Sequence, residues 1–176
     1  VALSRLAPGQ SIAFGLAVAG LASGHVSGGT EPLLSFSMHY NRWCWAASLI
    51  VAAIALMPPK AGGEVADGAA TGLLMAAMAM VKVTFPLSLA LPVVFALLRS
   101  GRSRTLIVAL ASALALLAAV TLAEGIGYWT AYAGDLLTVT GSETRAMPSD
   151  HWQALILSPV ATPATLCMAA LIWLLR

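Results

Sequence analysis

Lys82 is the residue whose type and setting most invite chemistry. It is the sole charge in an apolar stretch running from residue 68 to 98. At helical rise that stretch would span about 46 Å, against a bilayer hydrocarbon core of about 30 Å. An ammonium at mid-membrane costs roughly 2.5 to 3.5 kcal/mol on an insertion scale, and Pro86 and Pro92 lie just beyond it. These facts predict two short spans, about 68–81 and 84–98, meeting near Lys82, with the charge at a membrane face or in a wet cavity. An amine so placed binds an anion or pairs with a carboxylate. The plainer alternative is a snorkelling lysine, its stem in lipid and its head among phosphates.

A second group with chemical potential is the run His39-Tyr40-Asn41-Arg42-Trp43-Cys44-Trp45. Arg42 beside Tyr40, Asn41 and His39 can grip a lipid phosphate through charge-assisted hydrogen bonds, with the two tryptophans at headgroup level. An ordinary interfacial aromatic belt is the competing reading. Glu31, Glu124, Asp135 and Glu143 are carboxylates near the same face, without a recognised pairing. Asp150 next to His151 reads as a helix cap rather than a proton relay, because neighbours on a helix do not face each other. Met75, Met78 and Met80 read as adaptable packing, with no His or Cys beside them for a soft metal. No metal site is expected, no cofactor is named by the residues, and no hydrolase, metalloprotease or nucleotide motif stands in a proper context.

The elements that position these residues follow from composition. The 176 residues are 60% hydrophobic and 9% charged, with a mean hydropathy of +0.89. Such a chain cannot hide its apolar surface in a soluble domain, which predicts an integral membrane protein. The net charge of +2 comes from a few loop arginines and carries no argument for nucleic acid. Cys44 and Cys167, far apart and without a CxxC, read as core thiols. Val1 in place of Met fits a processed chain or the interior of a longer one.

The predicted fold is all-α: one transmembrane helical domain over residues 1–176, a polytopic bundle of about six spans. These are 11–23, 43–57 with an amphipathic extension at its start, 68–81, 84–98, 105–123 and 152–175. Pro58-Pro59 stops the second span, and Asp67 is placed as the N-cap of the third. Residues 124–151 are expected to be a long loop. Splitting the stretch at Lys82 collects Arg5, Lys60, Arg99, Arg102, Arg104 and Arg176 on one side, the better bias for a cytosolic face. Arg42, Lys82 and Arg145 lie opposite.

The segment from Gly72 through Lys82-Val83-Thr84-Phe85-Pro86 and Leu89-Ala90-Leu91-Pro92 to the basic loop resembles the GT-C membrane glycosyltransferases over about residues 68–104. In that superfamily short apolar helices often meet at a Lys-containing turn, followed by an apolar helix and an Arg-rich cytosolic loop. The resemblance implies transfer of a sugar from a polyprenyl-phosphate donor outside a bacterial-type inner membrane, with Lys82 and Arg42 as lipid-phosphate ligands. Its members use an acidic residue in the first outward loop, commonly Asp or an Asp/Glu pair, as base or metal ligand; here that loop offers Glu31 alone, the nominee for activating the acceptor hydroxyl. The reading of a different class is a non-catalytic accessory or scaffold subunit packing against other integral membrane subunits through small residues such as Gly15, Ala19 and Gly20.

Overall fold

The computed structural model describes residues 6–23, 36–58 and 62–141, and every regular element among them is a helix. In order these are α1 (Pro8–Ser23), α2 (Phe36–Leu56), α3 (Glu64–Val81), α4 (Thr84–Arg99), α5 (Ser103–Glu124) and α6 (Ile126–Gly141). The expected span 152–175 lies outside the described residues. The chain divides into two compact units, Val1–Tyr128 and Trp129–Arg176.

Local chemistry sets the boundaries. Pro8 occupies the first position of α1, where its missing N–H would be unpaired in any case, and Gln10 reaches back to accept from the Ala7 N–H at 3.1 Å. The break between α3 and α4 follows from Pro86, whose ring in a continuous helix would clash with the carbonyl four residues earlier, that of Lys82. Lys82 accordingly leaves the helix, at φ −158° and ψ 99°. Its carbonyl accepts from the Phe85 N–H at 3.2 Å, and Pro86 falls in the first turn of α4, where it is tolerated. At the end of α4, Gly101 adopts φ +70°. The Arg102 N–H donates to the Leu97 carbonyl at 2.8 Å and the Gly101 N–H to that of Leu98 at 3.0 Å, the paired bonds of a Schellman stop.

Within the first unit α3 and α5 form the most intimate pair. A Cβ added at Gly68 would lie 2.6 Å from the Thr105 carbonyl oxygen and 2.7 Å from Val108 Cβ. One at Gly72 would meet the Ala109 carbonyl oxygen and lie 2.5 Å from Ser112 Oγ. Positions rise together on both helices, so α3 and α5 run parallel, and α4 is the returning helix that connects them along the chain. The Gly68-x-x-x-Gly72 spacing lets the backbones touch, as small residues do between membrane helices. The glycines of α1 do not serve this purpose among the described residues: Cβ atoms at Gly15 and Gly20 would meet nothing within 4 Å.

The core lies where α2, α3 and α4 meet, built from Cys44, Val51, Ala55, Met78, Val93 and Leu97. Outside it the helices turn large apolar side chains outward. On α4, Leu87, Leu91, Phe95 and Leu98 form an exposed stripe, and on α5 Ile107, Leu110, Leu114 and Leu122 are exposed. Only Thr105 and Ala109 of α5 are buried. By length and composition α3 and α5 can cross a membrane, whereas the apolar stretches Tyr40–Leu56 and Thr84–Arg99 are shorter.

Two expectations are corrected here. Residues 126–141, placed in a long loop, form α6: Gly125 at φ +79° ends α5, and the chain resumes helix at once. In the second unit that helix carries an edge-to-face pair, Trp129 and Tyr132, with ring centres 6.3 Å apart. Asp67 is not the cap of α3. The helix begins at Glu64 behind Gly63, so Asp67 sits inside its first turn and is buried.

Candidate functional site

Lys82 stands at the turn between α3 and α4, half-buried, where the helix break releases its side chain toward α2. The ammonium donates to Asn41 Oδ1 at 2.7 Å. It also lies 5.8 Å from the centre of the Tyr40 ring and 5.9 Å from that of Phe85, within reach of the negative ring faces. Trp45 steadies Phe85 from the side, with ring centres 5.5 Å apart at 89°. All these partners are neutral, so the group holds the charge in place without cancelling it. Of the three donors an ammonium carries, one is committed to Asn41.

The structure thus brings together Lys82, Asn41 and Tyr40 from the sequence-derived set and adds Phe85 and Trp45. Arg42 is half-buried next to Asn41, and no contact joins it to the ammonium among the described residues. His39 belongs to the first turn of α2, but its side chain lies outside the described residues, as does Glu31. The described carboxylate at the same end of the unit is Glu124, exposed at the close of α5. Among the described residues no three His, Cys, Asp or Glu side chains gather as they would around a metal ion.

The opposite end of the unit holds a second polar group. Arg102 is 2% exposed and Asp67 0%, and the Arg102 Nη2 donates to Asp67 Oδ2 at 2.5 Å. The Arg102 Nη1 donates to the Ile54 carbonyl at 2.7 Å and reaches that of Met57 at 3.5 Å. These are carbonyls at the C-terminal end of α2, which favours a cation. One guanidinium therefore joins α2, α3 and the start of α5. The sequence groups Arg102 with the other arginines of the basic loop; of these the structure buries Arg102 and leaves Arg99 and Arg104 exposed. Two sequence signals could have located this arrangement: Gly68-x-x-x-Gly72 has the spacing of a helix-contact face, and Asp67 immediately precedes it.

No protein-family model, no curated protein and no solved structure matches this chain.

Proposed function

We propose that this chain is an integral membrane protein that holds the phosphate of a polyprenyl-linked substrate at Lys82. In this reading it forms part of a GT-C-like glycosyltransferase on the non-cytosolic side of an inner membrane. The observation that carries it is a half-buried ammonium fixed at a helix break by an amide and two rings, with no carboxylate in ion-pairing reach among the described residues. The outward leucines of α4 and α5 support the membrane setting, since apolar faces of that extent are covered by lipid or protein. Arg42 and Lys82 stand at one end of the α2–α4 group and Arg99 and Arg104 at the other, as expected if the latter face the cytosol.

In this mechanism Lys82 offsets charge that builds on the lipid phosphate as the sugar leaves, a preorganised stabilisation strengthened by the low-dielectric surroundings. Asn41, Tyr40 and Phe85 hold the ammonium in position. A carboxylate accepts the proton of the acceptor hydroxyl; the resemblance nominates Glu31.

Titration of the chain in nanodiscs with a polyprenyl phosphate tests the proposal. A hydrogen bond to a charged group contributes about 1.5 to 3 kcal/mol, so Lys82→Met is expected to weaken binding about 10- to 150-fold while helical content is unchanged. Equal affinity in the variant contradicts it.

A second reading, a non-catalytic subunit of a larger membrane complex, is favoured by α1, none of whose residues is buried and whose glycines face open space. Stoichiometric co-purification with other membrane proteins supports this reading, and sugar transfer by the isolated chain excludes it.

A further inference from the structure

Strong polar ties hold α2 near each end, and between them the Ser48 hydroxyl, already bonded to the Cys44 carbonyl at 2.7 Å, makes only a long contact of 3.5 Å to Met78 Sδ, a weak acceptor. Asn41 accepts from Lys82 at the end of α3, and Ile54 and Met57 accept from Arg102, which is itself held by Asp67 near the start of α3. Helices α2 and α3 therefore run antiparallel, and the spacings match. Asn41 and Ile54 are separated by about 20 Å of helix, Asp67 and Lys82 by about 22 Å. Between the ties, Cys44, Ala47 and Val51 of α2 and Leu74, Met75 and Met78 of α3 belong to the core that these helices share with Val93 and Leu97 of α4. Small side chains facing flexible methionines accommodate more than one sliding position. Directional hydrogen bonds do not.

We infer that Asp67 and Arg102 are positioning residues for the Lys82 group: by fixing the axial register of α2 they carry Asn41 and Tyr40 to the ammonium at the opposite end. The inference rests on the proposed reading of Lys82 as the binding site. A slip of one turn displaces Asn41 by about 5.4 Å, beyond hydrogen-bond reach. Buried polar pairs are best attested in this register-setting role. The guanidinium suits it because its planar fork serves the carboxylate and the α2 carbonyls in one fixed geometry, which the single nitrogen of a lysine reproduces only in part.

The test is a distance measured far from the mutated residue. Nitroxides are carried by Trp43→Cys and Val81→Cys, both exposed positions at the Lys82 end, in the full chain in nanodiscs with Cys44 and Cys167 replaced by alanine. Arg102→Gln is expected to shift or broaden the distance by several ångströms, up to about one turn of 5.4 Å, and to weaken polyprenyl-phosphate binding. Arg102→Lys should recover part of both, and Arg99→Gln, a change at an exposed charge, should alter neither. An unchanged distance in folded Arg102→Gln overturns the inference, as does an equal shift in Arg99→Gln. If Arg102→Gln does not fold, Asp67→Asn is read by the same criteria. A wild-type chain that binds no polyprenyl phosphate contradicts the proposed function, and the distance then decides the register by itself. A wild type that binds, with Arg102→Gln retaining both distance and affinity, overturns the register inference alone.

Discussion

Replacing Asp67 alone by leucine is expected to lower the stability of the folded chain in mixed micelles by roughly 3 to 5 kcal/mol, because removing one partner of a buried ion pair leaves the other charge buried and uncompensated. Arg102 would retain its bonds to the α2 carbonyls, but those are dipoles, and a guanidinium cannot shed its proton to escape. Exchanging both residues, as Asp67→Leu with Arg102→Met, should cost much less than the sum of the two single changes, since apolar groups of similar volume pack where the charges were. A double-mutant cycle by detergent unfolding checks this. Additive losses would mean that the pair is not coupled as its 2.5 Å separation implies.

The second large effect is expected at Gly72. Even an alanine there would drive its Cβ against the Ala109 carbonyl, and backbone cannot move aside as a side-chain end can. α3 and α5 must separate or rotate along the face that they share. Overpacking of this kind costs about 1 to 3 kcal/mol and occasionally more, so Gly72→Leu should fall at or above the upper part of that range. Gly20→Ala supplies the control: its Cβ meets open space, and replacing a helical glycine gains up to about 1 kcal/mol from propensity. Unfolding curves for the two variants should move in opposite directions. A Gly72→Leu chain as stable as the parent would contradict the close helix contact.

The comparison of these sites with the sequence is instructive in particulars. The break at Lys82 was legible because the signals are local: Pro86 penalises helix at Lys82, four residues earlier, and the lone charge adds its own cost there, whereas Pro92 is accommodated inside α4. The proximity of Asn41 and Tyr40 to Lys82 was legible in outline, since counting spans placed them on one face, but the hydrogen bond depends on the register of α2. Phe85 was missed as a partner because its spacing resembles any apolar helix residue. Asp67 was misread because a polar residue after a Gly-rich linker has the signature of a cap. Its actual role depends on a residue 35 positions away that only tertiary packing brings near. α6 was missed for a different reason. Its scattered polar residues and glycines resemble a loop, and the single residue Gly125 that separates it from α5 reads as the start of one.

Lys82 with Asn41 lies at one end of the helix group and the basic loop with the buried Arg102 at the other, and the proposed function requires these ends to face opposite sides of a membrane. Membrane-impermeant thiol labelling of sealed vesicles measures it directly. The variants are Lys82→Cys and Arg99→Cys, each in a chain whose Cys44 and Cys167 are replaced by alanine. The account predicts that right-side-out vesicles label position 82 and spare position 99, and that inverted vesicles do the reverse. Labelling of both positions from the same side, or of position 82 from the cytosolic side, would contradict it.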